Sequence, residues 1–110
     1  MTIVPGDFRQ WLAKDVLFQE EFSRAAAAIV LVGCFSRLRE KYGIRGYRSV
    51  LIDAGHCSEN IYLAATALML NICATTGFVD DELDEALKLD GVDNASLVVL
   101  LAGARHGSLQ

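Results

Sequence analysis

A chain of 110 residues with 53% apolar side chains, 22% charged and a single proline is sized for one domain and too apolar for disorder. Its ten basic and fourteen acidic residues leave a net charge of −4, which excludes a general electrostatic hold on nucleic acid. So high an apolar share on so short a chain asks either for an unusually compact core or for apolar surface covered by another chain.

Taken in chain order, residues 7–24 carry Phe8, Leu12, Val16 and Phe22 at mostly helical spacing, with Asp7 placed to cap the start, and predict one or two short helices. Residues 26–35 are almost continuously apolar and include β-branched Ile29, Val30 and Val32, as in a strand buried on both faces. Ser36 stands where it can cap a short helix running to about Tyr42. Gly43 and Gly46 then predict a turn. From residue 47 to about 71 the apolar positions recur at helical spacing without a proline, which makes this the longest helix and the centre of a domain or a dimer. Residues 72–75 read as a short strand, Thr76-Gly77 as a turn, 80–89 as a helix with an acidic first turn, and 97–101 as a last strand. This order of elements predicts an α/β chain, an α+β sandwich, with residues 1–110 as a single domain.

Cys34, Cys57 and Cys73 lack CxxC spacing and follow no secretory leader, so they read as buried small hydrophobes in a reducing compartment. The apolar run at 25–35 is too short to cross a membrane. The expectation is a soluble, cytoplasmic protein with no nucleic-acid or membrane partner. His56 and Cys57 are adjacent on a helix and face different ways, so no metal site is expected there.

Chemistry concentrates in the stretch Lys41-Tyr42-Gly43-Ile44-Arg45-Gly46-Tyr47-Arg48, where proton-transfer and anion-binding groups precede the apolar helix. Arg37 and Arg39 add to the basic cluster, whereas Asp80, Asp81, Glu82, Asp84 and Glu85 make the later part acidic. The plainer alternative is a solvated basic face near a helix end, which the helix dipole favours.

These residues, followed by Ala54-Gly55-His56, Asn60-x-Tyr62-Leu63-Ala64-Ala65, Gly77-Phe78-x-Asp80-Asp81 and Leu89-Asp90-Gly91, resemble in order the C-terminal half of the nitroreductase-like SagB-type dehydrogenases. Those enzymes use FMN to oxidise azoline rings to thiazoles and oxazoles in ribosomally made peptides. The resemblance implies a partial nitroreductase-like fold with a long central helix, FMN as cofactor, and Lys41 and Tyr42 as the pair that removes a proton during ring oxidation. Desolvation or the neighbouring Arg37, Arg39 and Arg45 would favour the neutral lysine that such a base requires. It also implies a flavin-facing turn at Thr76-Gly77, with Thr76 where a second glycine is common, a flavin contact from Asp53, and a phosphate contact from Arg105. From spacing alone, an ordinary surface lysine beside a half-buried tyrosine is the favoured reading of Lys41 and Tyr42, and a strand-to-helix turn explains Gly77 equally well.

The family's N-terminal half, with the arginine-bearing motif that holds the FMN phosphate, has no counterpart in the matching segments. Three readings follow. The chain is a flavoenzyme component completed by a partner that supplies that half, a non-catalytic structural or regulatory subunit that keeps the dimerising core, or a fragment of a longer enzyme. The high apolar content suits all three; the central helix favours a homo- or hetero-oligomer, with a chain supplying the missing half and a peptide substrate in the first reading.

Overall fold

The computed structural model describes residues 3–104. The chain opens with one turn of helix, α1 (Arg9–Trp11), continuing into a π-helical stretch (Leu12–Val16) and a 3₁₀ helix (Glu20–Arg24). Strand β1 (Ala27–Cys34), helices α2 (Phe35–Tyr42) and α3 (Arg45–Ala67), strand β2 (Leu70–Thr75), helix α4 (Asp80–Ala86) and strand β3 (Asn94–Ala104) follow. The predicted α/β class with a long central helix is the observed one. Among the described residues no helix is long and apolar enough to cross a membrane.

The sheet has the order β1-β3-β2, with both neighbours antiparallel to β3. β3, predicted as a run of five residues at 97–101, is an 11-residue strand and the centre of the sheet. β1 is therefore an edge strand, and its predicted burial on both faces is corrected: Ile29 is 41% and Val32 40% exposed. An apolar run sets the strand but not which strands lie beside it.

Side chains alternate across β3. Val99 and Leu101 join Ala13, Val16, Leu17, Phe22 and Leu83 in the main core, beneath α4 and the N-terminal helical turns. Leu100, equally buried, is out of phase with them and faces α3. A bulge interrupts the β1–β3 register between Leu31 and Val32, leaving Leu97 without a partner. The Leu97 side chain lies over Gly33, where a Cβ would stand 2.8 Å from Val50 Cγ1 and 2.9 Å from Leu97 Cδ1. Glycine at 33 is thus required by the contact of α3 with the sheet.

Four local expectations are corrected. The helix after β1 starts at Phe35, so Ser36 lies inside it rather than at its cap, and the N–H groups of Phe35 and Ser36 donate to the Asp93 carbonyl instead. Gly46 is not a turn residue but a buried position of α3; a Cβ there would come within 2.7 Å of the Leu38 carbonyl, so it sets the close approach of α2 and α3. Cys34 and Cys57 are exposed and Cys73 half-buried, rather than buried. Asp7 lies one residue before the cap of α1; its carboxylate accepts the Arg9 N–H at 3.1 Å and pairs with the Arg9 guanidinium, which holds it down at a pKa of about 2.

Helices α3 and α4 both end on a non-glycine residue with positive φ, Met69 at 59° and Lys88 at 60°. After α4, the Lys88 N–H donates to the Glu85 carbonyl and the Leu89 N–H to the Asp84 carbonyl, the pair of bonds that glycine usually supports. Met69 breaks the predicted helix short of residue 71 and turns the chain into β2. It is 66% exposed, so its side chain contributes little packing. Met69→Gly is expected to stabilise the chain by about 1 kcal/mol by relieving the left-handed backbone. Gly46→Ala is expected to have the opposite sign. Its gain in helix propensity, about 1 kcal/mol, is outweighed by a backbone clash that cannot be relieved by a rotamer, for a net loss of about 1–2 kcal/mol. Urea unfolding midpoints of the two variants measure both signs.

Candidate functional site

Lys41 and Tyr42 close α2. Both are exposed, Tyr42 by 52%, and Lys41 Nζ lies 5.3 Å from the centroid of the Tyr42 ring, within the range of a cation–π contact. Of the arginines considered as their neighbours, Arg39 is held elsewhere, in a hydrogen-bonded ion pair with Asp93.

That pair belongs to a clamp. Asp90 Oδ1 accepts the N–H groups of Val92, Asp93 and Asn94, each at 2.9 Å, and so orders the loop that leads into β3. Asp93, held in this way, receives the first two N–H groups of α2 on its carbonyl and Arg39 on its carboxylate. The N-terminal end and one face of α2 are therefore fixed to the start of β3, and Lys41 and Tyr42 project from a positioned helix rather than a free loop. The Leu89-Asp90-Gly91 motif acquires a physical role here that sequence reading did not assign.

Asp53 is exposed on α3 and lines a shallow groove with Arg37, Cys34 and Cys57 over the Gly33–Val50 contact. Thr76 and Gly77 follow β2, and both are exposed. The Gly77 N–H, the donor expected to face a flavin, is engaged by Thr75 Oγ1 at 3.0 Å. Apart from that hydroxyl, a Cβ at Gly77 would have no neighbour within 4 Å, so its outer side is open to a flat ring. The rotation of one exposed hydroxyl would free the N–H. Arg105 lies outside the described residues. His56 is exposed, with no hydrogen bond to it among the described residues, and no three metal-ligating side chains gather into a metal site there.

The candidates thus occupy three places: the end of α2, the α3 groove, and the turn after β2. The α3 groove is lined by Asp53 and by none of Lys41, Tyr42, Thr76 and Gly77. As a test of fit to FMN, the open side of Gly77 suits one wall of the ring, while the described candidates form no phosphate cradle and no enclosed pocket. Tyr62, from the Asn60-x-Tyr62 motif, serves the fold: its hydroxyl accepts the Ala74 N–H at 2.8 Å and covers part of the β2 edge.

The chain belongs to the nitroreductase family, whose model matches residues 5–103. It is similar to MJ1384 of Methanocaldococcus jannaschii, a protein named as a nitroreductase, with 35% identity over 78 residues that cover 71% of this chain and 39% of that one. A crystal structure named as a nitroreductase from Anabaena variabilis superposes with a TM-score of 0.80 at 32% identity, covering 94% of this chain and 21% of the other. A chain of the Escherichia coli microcin synthetase McbBCD complex, solved with a truncated pro-MccB17 bound, superposes with a TM-score of 0.66 at 30% identity, covering 69% of this chain and 29% of the other. This chain therefore spans well under half the length of each of these relatives.

The clamp carries a pH signature. The N–H groups of Asn94, Val92 and Asp93 hold the Asp90 carboxyl below its ordinary range. A carboxylate lowered in the folded state contributes stability above its unfolded pKa, which is lost as the pH falls through the folded value. Asp90→Ala is expected to lower the thermal midpoint at about pH 7, with the gap from the parent protein narrowing as the pH falls below about 4. Melting curves across that range check the sign; a gap that is constant with pH would exclude an ionised Asp90 as the cause.

Proposed function

We propose that this chain is one component of an FMN-dependent oxidoreductase that dehydrogenates azoline-type rings in a ribosomally made peptide. Another polypeptide, in a homo- or hetero-oligomer, supplies the rest of the flavin pocket. The observation that carries this reading is the similarity, at 30% identity, to a chain of a microcin synthetase complex with a pro-peptide bound, within a chain matched to the nitroreductase family over residues 5–103.

The uncovered surface supports a partner. Leu51, Ile52 and Leu63 on α3 are 44%, 50% and 63% exposed, and Ile44 ahead of it is 90% exposed. This is the apolar excess on a short chain placed along one helix, the kind of surface that association buries.

Bound FMN would supply the hydride acceptor for the ring oxidation. The residues of this chain would do the remaining work: Lys41 Nζ would take the proton from the ring carbon, Tyr42 would hold the lysine by its ring, and the Gly77 N–H, released from Thr75 Oγ1, would help hold the flavin. Lys41 acts as a base where the partner's surface excludes water from it, because desolvation favours the neutral amine. The same reading assigns Asp53 and Thr76 to flavin contacts that the partner's surface completes, and Arg105 to the phosphate.

A second reading, a structural or regulatory subunit, is favoured by one observation, the separation of the candidate groups into three places. Co-purification with the partner separates the two readings. A flavoenzyme component gives a yellow complex, in which Lys41→Ala keeps the flavin absorbance and lowers the single-turnover oxidation rate by about 10²–10⁴-fold. A complex that stays colourless with added FMN assigns the chain to the structural class, and an unchanged rate removes Lys41 from the chemistry.

A further inference from the structure

Between the start of α3 and the start of α4 lies a cleft of about 770 Å³ that Asp53, Thr76 and Gly77 do not line. One wall is aromatic: Phe35 and Tyr47 meet edge to face with ring centroids 5.2 Å apart. The other is acidic, with Asp80 and Asp81 at the rim and Asp84 deeper in. Asp84 is only 7% exposed. Its Oδ1 accepts the Ser96 N–H at 2.8 Å, and among the described residues no lysine or arginine pairs with it. Gly91 leaves the other oxygen uncovered: a Cβ there would stand 3.4 Å from Oδ2, and φ at Gly91 is 78°. Ser96 also lines the cleft; it is 8% exposed and its hydroxyl has no partner. The one cation that lines the cleft, Arg39, is committed to Asp93.

A carboxylate so far out of water calls for an opposing charge. With no third metal-ligating side chain close enough to complete a metal site among the described residues, the chemistry favours an organic cation. A guanidinium meets the whole set: its planar fork bonds carboxylate oxygens in pairs, its face lies well on an aromatic ring, and its three-carbon stem suits an apolar wall.

We infer that the cleft between α3 and α4 is a binding site for an arginine side chain presented by an extended peptide. The guanidinium bonds Asp84 Oδ2, with Asp80 and Asp81 at the rim, and the stem packs on Phe35 and Tyr47. That the arginine belongs to the substrate peptide rests on the function proposed above; the preference of the cleft for a guanidinium does not.

Titration of the full chain with acetyl-Gly-Arg-Gly-amide, followed by amide NMR shifts, tests the site. Saturable shifts at Tyr47 and Ser96 are expected, with binding at least about tenfold weaker for the isosteric citrulline peptide, which lacks the charge. Asp84→Asn, which keeps an oxygen for the Ser96 N–H, is expected to weaken binding by about tenfold. Asp81→Asn, on an exposed helical turn that does not support the core, is expected to weaken it about threefold and covers the case in which the first variant fails to fold. The absence of saturable binding, equal binding of the two peptides, or binding indifferent to both substitutions overturns the inference. Flavin absorbance of the partner complex is read separately. Colour without arginine binding defeats the cleft alone, and arginine binding by a chain whose complexes stay colourless defeats only the flavin reading.

Discussion

The arrangement depends on β3 lying between the other two strands. Val99, Leu100 and Leu101 have no exposed area. Three consecutive residues can be so buried only where both faces of a strand are covered and both edges are paired. α3 covers one face, and α4 with the N-terminal helical turns covers the other. β1 and β2 occupy the edges in antiparallel register. Each outer element therefore has β3 on one side and only partial cover on the other, as from Tyr62 beside β2 and α2 beside α3.

This explains why an apolar chain leaves so much apolar surface outside. A three-stranded sheet has two edges, and Tyr62 shields part of one through the Ala74 N–H. β1 has no such cover among the described residues. Its sequence, AAIVLVGC, carries none of the charges or prolines by which isolated edges are protected from pairing. α3 repeats the pattern at the level of a helix. Of its 23 residues only Gly46, Val50 and Ala65 are buried, and two of these three are small residues that permit close contact rather than filling space.

Element type was legible in the sequence because it follows local periodicity; element environment was not. The β-branched run at Ile29, Val30 and Val32 identifies a strand, yet a strand at the edge and a strand at the centre present the same run. Gly46 and Met69 show the same limit. A glycine between two predicted helices reads as a turn, and only the approach of the Leu38 carbonyl reveals it as a contact. Met69 reads as helix by its neighbours, and only its φ of 59° reveals the end. The site was legible as a set of residue types in order, Lys41-Tyr42 ahead of the central helix and Gly77 after β2. Their separation was not, because order along a chain carries no distance. Asp84 was counted among a run of acidic residues; its burial comes from its position on the face of α4 toward Ser96, one residue beyond Leu83 in the core.

The Asp90–Asp93 clamp bears on how the ordered motifs are to be weighed. A loop between a helix and a strand normally drifts, and a side chain carried by a helix that hangs from such a loop drifts with it. Here one carboxylate gathers three consecutive N–H groups, and the aspartate three residues further on then receives the start of α2 and Arg39. Two residue groups far apart in sequence, at 35–42 and 90–94, are in this way made into one rigid corner. The Lys41-Tyr42 pair lies at the end of that corner, just ahead of α3 in the chain. A scaffold settled in this way fixes the direction in which the side chains it carries project. Among the motifs recognised in order along the sequence, Leu89-Asp90-Gly91 is thus one that holds another, at the end of α2, in place.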